Sequence, residues 1–271
     1  MEQLIFIIIF LTAILLLVTN LRKRLAFLKL AQPENRFDKP FERLKHTFKI
    51  AIAQSKILRE QPAGLLHVCI FWGFLVLLFS ASEAVIQGIF SGFSYNFLGL
   101  IYSVITILTD IFCLGIVFAI IFSFLRRFVF KVKRLQGDAD EKKDATIVLA
   151  SIFVIVTALL FHNASLSILN EHSWGVYPIG SILAGIIPVE SVYTFYKITW
   201  WLHILVIFYF MNYLPFSKHF HVYTSIPNVY FSSLTPVNKL KPIDFEKEGV
   251  EKFGVVDIED FTWKNLLDSL T

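Results

Sequence analysis

Five long stretches of this chain are almost free of charge: Leu4–Val18, Ala63–Phe90, Phe97–Leu125, Ala145–Leu169 and Lys197–Leu214. Together they contain three charged residues, Glu83, Asp110 and Lys197. A helix rises about 1.5 Å per residue, so about 20 apolar residues cross a hydrocarbon core roughly 30 Å thick. In lipid every backbone N–H and C=O must be paired within the protein, which leaves the α-helix as the form for runs of this kind. The expected fold is therefore all-α, an integral membrane bundle of five transmembrane helices. Composition supports this reading. Of the 271 residues 56% are hydrophobic and 29 are phenylalanine, against about 45–50% apolar in soluble domains.

The connections set the orientation. Asn20–Pro62 carries eleven Lys or Arg against four acids, and Arg126–Asp144 carries seven basic residues, so these two loops hold 18 of the 25 in the chain. Ser91–Asn96 has no charge, and Asn170–Tyr196 has no Lys or Arg. Basic loops stay on the cytoplasmic side, so the N-terminus is expected outside and the C-terminus in the cytoplasm. Charge follows the first apolar run (Arg22, Lys23, Arg24) instead of preceding it, which marks an uncleaved span and not a signal peptide. The expected location is a multi-pass protein of the bacterial inner (cytoplasmic) membrane. Phe41–Glu60 has mixed helical periodicity and reads as a segment along the membrane surface; His46 lies in it as a surface histidine. Residues 1–235 read as the membrane domain and 236–271 as a cytoplasmic tail. The basic loops are explained by topology and anionic lipid, and no nucleic-acid partner is expected. No Walker-type or dinucleotide-binding glycine pattern occurs.

Histidines carry the chemical signal, because ionisable groups inside a span are costly and functional by default. His203 and His221 are 18 residues apart, five turns of one helix, which separates them by roughly 27 Å on one face if the helix is continuous. His219 would lie about 160° round from His203. His67 opens the second span and His162 lies late in the fourth. The expected topology pairs His67 with His221 near the cytoplasm and His162 with His203 near the outside. Facing imidazoles in a helical bundle are a haem site, so two haems b are expected, with these four histidines as ligands of the iron. Cys69 and Cys113 sit singly in apolar runs. They are too few for an iron–sulfur cluster, lack the spacing of a zinc site, and read as buried packing residues.

Two motifs carry a resemblance. His203…Pro215-Phe216-Ser217…His221 resembles the last span of the gamma subunit of respiratory nitrate reductase. Leu65-Leu66-His67-Val68-Cys69-Ile70-Phe71-Trp72-Gly73-Phe74 resembles the second span of that family, including Gly73. The resemblance implies a dihaem cytochrome b exchanging electrons between quinone and a cytoplasmic iron–sulfur partner, with His67 and His221 on the inner haem and His203 on the outer one. The family's further histidine, ten residues after the first, is Leu77 here, so His162 is carried as the outer ligand on depth alone. Phe261-Thr262-Trp263-Lys264-Asn265-Leu266-Leu267-Asp268 resembles the run leading into a ferredoxin-type segment in heterodisulfide-reductase-like membrane oxidoreductases, including relatives that take electrons from electron-transfer flavoprotein. No cysteine-rich stretch follows it. This implies clusters on a partner or on the rest of a longer protein.

The functional expectation is a quinone-linked oxidoreductase subunit. Its partners would be membrane lipid, menaquinone or ubiquinone, and a cytoplasmic iron–sulfur protein or flavoprotein. Glu83 and Asp110 are candidates for proton exchange with quinone; their ordinary roles are an interfacial carboxylate and a helix-to-helix hydrogen bond. His172, beside Glu171, is a weaker candidate for quinone access. Lys56, Arg59 and Lys218 suit haem propionates, although topology alone explains basic residues there. Trp72, Trp200 and Trp201 read as interfacial or packing aromatics. The alternative is a non-redox membrane anchor for a cytoplasmic enzyme, which leaves the intramembrane histidines unexplained. A proton-coupled transporter is disfavoured by the lack of internal repeats.

Overall fold

The structure, a computed structural model, describes residues 1–169, 174–235 and 255–270. It is all-α: among the described residues the only β contact is an isolated parallel bridge between Gln32 and Thr262. The helices are α1 (Glu2–Leu25), α2 (Pro40–Thr47), α3 (Ala63–Ile89), α4 (Leu100–Phe124), α5 (Ala139–Leu169), α6 (Pro178–Ala184), α7 (Val192–Tyr213), α8 (His221–Tyr230) and α9 (Trp263–Leu270). Five of them, α1, α3, α4, α5 and α7, are long and apolar enough to cross a membrane. Helix α5 starts six residues before its apolar run and α7 five before its own, so regular backbone continues past the apolar residues.

Two compact units divide the chain. The first holds Met1–Leu15 and Ile57–Tyr213. In it α5 packs along α7, α6 and α4, and α3 packs on α4. One apolar core joins Leu77, Cys113, Ile116, Ile120, Val156, Leu159 and Leu160. A second joins α1 to α7 through Phe6, Ala13, Ile204 and Phe208. Phe6 and Ala13 are seven residues apart and share the buried face of α1. Leu4, Ile8, Leu11 and Leu15 lie on its exposed face, suited to lipid. Small residues set the close approaches, as in other membrane bundles. A Cβ at Gly88 would stand 2.5 Å from the Phe6 ring.

The second unit holds Leu16–Lys56 and the described part of Leu214–Thr271. Arg43, 2% exposed, fastens it. Its guanidinium donates to the carbonyls of Asp38 (2.7 Å), Tyr230 (3.1 Å) and Ser232 (2.8 Å) and to the Asp38 carboxylate (2.6 Å). The segment around α9 is tied to the first connection. Gln32 N donates to Phe261 O (2.8 Å), Trp263 N to Gln32 O (3.1 Å), and Trp263 Nε1 to Glu34 O (2.8 Å). Lys264 is buried and donates to Asn228 (2.7 Å) and Asp268 (2.6 Å). The surface segment expected over Phe41–Glu60 is shorter. Helix α2 passes into a wide turn at Phe48–Ile52, and the helical path ends before Gln54, which has φ +54°.

The last apolar stretch also departs from expectation. Helix α7 stops at Tyr213, and two short 3-10 turns, Leu214–Phe216 and Lys218–Phe220, precede α8. Pro215 has no N–H to continue the ladder. Ser217 is extended (φ −99°, ψ 159°), and its Oγ accepts from His219 N at 3.0 Å, starting a new turn. His203 and His221 are therefore on different helices. The same break removes the angular ground for preferring His221 over His219.

Candidate functional site

The first unit gathers buried polar groups at one end. Along α4, Tyr102, Thr106, Thr109 and Asp110 are buried, followed by apolar Cys113, Ile116 and Ile120. Antiparallel α5 buries His162, Asn163 and Ser165 at the matching level, and α7 buries Thr199 and His203. A cavity of about 40 Å³ lies among them. His162, His203 and Glu83 all line it, together with Tyr102, Tyr177 and Trp200. The outer histidine pair, expected from depth alone, thus faces one space.

Each imidazole is held by its Nδ1. His203 Nδ1 lies 2.8 Å from Ile155 O, and His162 Nδ1 lies 3.4 Å from Tyr196 O. The Tyr196 ring stacks on His162, with centroids 4.6 Å apart and planes 26° from parallel. A histidine that donates Nδ1–H to a carbonyl presents Nε2 as a ligand, the arrangement usual at metal centres. His203 Nε2 is buried with no hydrogen-bond partner among the described residues, a costly state for a polar atom unless a ligand takes it. Among the described residues no three His, Cys, Asp or Glu side chains gather to hold a bare ion. Two imidazoles lining one cavity are the donor type that a haem would take.

The two carboxylates have different surroundings. Glu83 accepts from Ser94 Oγ (2.7 Å), Tyr95 N (2.7 Å) and Tyr102 OH (3.2 Å), and so ties the end of α3 to the following loop. Tyr102 OH lies 3.5 Å from Tyr177 OH. A hydroxyl–carboxylate chain thus borders the cavity. Asp110 does not line it. Fully buried, it accepts from Asn163 Nδ2 (3.2 Å), Ile179 N (2.6 Å) and Gly180 N (3.0 Å). Ile179 and Gly180 open α6 after Pro178, where helix amides lack internal partners. Asp110 therefore acts as a remote N-cap, at the helix end that favours negative charge. Its setting is structural. Gly180 permits the close approach, since a Cβ there would stand 3.0 Å from the Ala164 amide nitrogen.

His67 lies near the start of α3, at the opposite end of this unit from Glu83. His221 opens α8 in the second unit, with its ring 5.8 Å from that of His219 and its Nδ1 3.5 Å from Lys218 O. The proposed inner pair is thus divided between the two units. Lys56, Arg59 and Lys218 are exposed. His172 lies outside the described residues. The groups that sequence reasoning missed are Tyr102, Tyr177 and Asn163. Their signal was weak: a tyrosine early or an asparagine late in an apolar run, and a tyrosine before a proline in a connection.

No known family profile and no solved structure matches the chain. Two curated proteins are similar to it. The probable iron-sulfur-binding oxidoreductase FadF of Bacillus subtilis is 34% identical over 274 residues, covering 98% of this chain and 38% of that protein. The EtfAB:quinone oxidoreductase of Syntrophomonas wolfei is 29% identical over 270 residues, covering 91% and 35%. The chain spans little more than a third of the length of either relative. The likeness extends along nearly the whole of this chain and supports a membrane-associated, oxidoreductase-like family.

Proposed function

We propose that this chain is the haem b-carrying membrane part of a quinone-linked oxidoreductase, passing electrons between the quinone pool and a cytoplasmic iron–sulfur protein or flavoprotein. The observation that carries the proposal is the cavity lined by His162 and His203, with the Nε2 of His203 buried and without a partner among the described residues. The relatives add support through their names, one iron-sulfur-binding and the other acting between EtfAB and quinone. In this reading His162 and His203 hold one haem, and His67 is a ligand of a second, as in the nitrate reductase gamma subunit that the motifs resemble. A bound haem b supplies a one-electron carrier whose potential is set by its axial ligands and surroundings. The chain's own residues orient the imidazoles through Ile155 O and Tyr196 O, exclude bulk water, and place Glu83 and Tyr102 beside the cavity for proton exchange. In this reading the basic loops face the cytoplasm, which puts α6 and the 91–99 loop on the other side of the membrane.

The test is a pyridine haemochrome assay with reduced-minus-oxidised spectra on purified protein, comparing wild type, His162→Ala and His67→Ala. Two haems per chain with one lost in each variant is the expected result. One haem that survives His162→Ala overturns the outer site. No haem in a folded, haem-supplied preparation leaves the non-redox anchor.

A further inference from the structure

A larger cavity, about 290 Å³, opens beside the histidine-lined one, and Gln87 and Trp200 line both. Its walls are flat and aromatic. Phe6 of α1 meets Trp200 at 5.6 Å and Trp201 at 6.3 Å, and those two indoles meet edge-on at 5.0 Å. Tyr193 and Tyr196 complete the α7 side, with rings 6.3 Å apart and near parallel.

Polar groups are few and specific. Trp200 Nε1 is buried and lacks a hydrogen-bond acceptor among the described residues. Lys197 Nζ donates to Glu2 Oε1 at 2.9 Å and stands 5.2 Å from the Tyr193 ring centroid. Gln87 Nε2 donates to Tyr196 OH at 3.2 Å, which fixes the tyrosine that stacks on His162. The Glu2–Lys197 pair is neutral as a whole, so the cavity favours an uncharged ligand. An orphaned indole N–H and an ammonium call for acceptor oxygens. The aromatic walls call for a planar ring. Leu4, Ile5 and Ile8 of α1 are exposed nearby, which gives an apolar tail a path into lipid.

We infer that this cavity binds the headgroup of a membrane quinone, with Trp200 Nε1 and Lys197 Nζ donating to its carbonyl oxygens and the α1 and α7 aromatics stacking on its ring. The inference rests on the function proposed above and gives the quinone a place, in van der Waals continuity with His162 through Tyr196. Trp200 and Lys197 are binding residues here. Gln87 positions Tyr196.

The test titrates menadione (a tailless naphthoquinone) and decylubiquinone into the full chain in nanodiscs by calorimetry. Trp200→Phe keeps the wall and removes the donor; Lys197→Met removes the charge. Each should weaken binding about tenfold and the pair about a hundredfold, near one lost hydrogen bond apiece. Lys197→Arg should restore most of the affinity, which a merely structural lysine would not require. Ser91→Trp, at an exposed position on the rim, should block binding by filling the space without disturbing the core. Wild-type binding that Trp200→Phe, Lys197→Met and Ser91→Trp all leave unchanged overturns the site while the proposed function stands. A wild type that binds neither quinone removes both.

Discussion

Replacing Asp110 distinguishes a structural carboxylate from a catalytic one. Its two oxygens serve three donors: the amides of Ile179 and Gly180 at 2.6 and 3.0 Å, and Asn163 Nδ2 at 3.2 Å. A buried donor left without a partner costs about 1–3 kcal/mol. Asp110→Ala strands all three donors, and some relaxation is expected, so we estimate about 4 kcal/mol. Asp110→Asn retains one acceptor oxygen and forfeits the charge at the start of α6, for about 1–2 kcal/mol. The loss falls on the docking of α6 and not on the whole bundle. Amide exchange followed by mass spectrometry over 174–186 should thus accelerate about a thousandfold in the alanine variant and about tenfold in the asparagine one, at 1.4 kcal/mol per decade. Haem content and quinone turnover of Asp110→Asn should remain near wild type. The reverse pattern, unchanged exchange around α6 with turnover abolished, would falsify the capping role and return Asp110 to the proton path.

Three further substitutions test the packing. Gly180→Ala sets a Cβ 3.0 Å from the Ala164 amide nitrogen, backbone that has no rotamer to yield, so α6 should lose about 1–3 kcal/mol of docking and show the same exchange signature as the Asp110 variants. Gly88→Ala sets a Cβ 2.5 Å from the Phe6 ring, so it should displace that ring and weaken quinone binding without loss of the His162–His203 haem, read by titration beside the haem spectrum. Arg43→Ala strands the carbonyls of Tyr230 and Ser232 in the second unit and should cost it about 3 kcal/mol, seen as faster proteolysis after α8. The hydrogen bond and charge of Arg43 hold the Asp38 carboxyl below its ordinary value of 3.8. A lowered carboxyl contributes stability above its unfolded pKa and loses it as pH falls through the folded one. The second unit should therefore loosen in acid below about pH 4, and Arg43→Ala should flatten that dependence.

Much of this architecture is legible in the residue pattern, for a physical reason. Lipid tolerates only helices, so uncharged length locates the five helices long and apolar enough to cross a membrane, although α1 runs seven residues past Val18 and α5 begins six before Ala145. The depth of His162 and His203 follows from the same runs. What escapes is what depends on pairing between distant residues. Nothing local marks Gln32 as the partner of Phe261 and Trp263, 229 and more positions along the chain, or shows that Arg43 clasps Tyr230. The end of α7 was legible but misweighed: Pro215 and Ser217 stop the helix, while the attractive 18-residue spacing of His203 and His221 argued for continuity. The hydrogen-bond demand of α6 was likewise hidden, because Asp110 satisfies it from 69 residues away.

The division of the first unit into a polar and an apolar end has a consequence for the proposed electron transfer. Beyond Asp110 and His162, the core towards the 125–139 loop consists of Cys113, Ile116, Ile120, Val156 and Leu77. The buried polar side chain at that level, Ser151, donates its hydroxyl to Ile147 O at 2.7 Å. Protons need water or a continuous polar chain to cross such a layer; electrons passing between carriers do not. Quinone chemistry at the polar end would exchange its protons there, while electrons cross the apolar layer to a partner at the basic loops. Turnover in proteoliposomes should therefore separate charge. An opposing membrane potential adds about 2.3 kcal/mol per charge for each 100 mV. Quinone-linked turnover should thus slow under an imposed potential and recover when valinomycin and potassium collapse it, with haem reduction levels shifting in step. A rate indifferent to potential would put the quinone and the partner on one side of the membrane, and the polar end would then serve only to hold α6 and the loops.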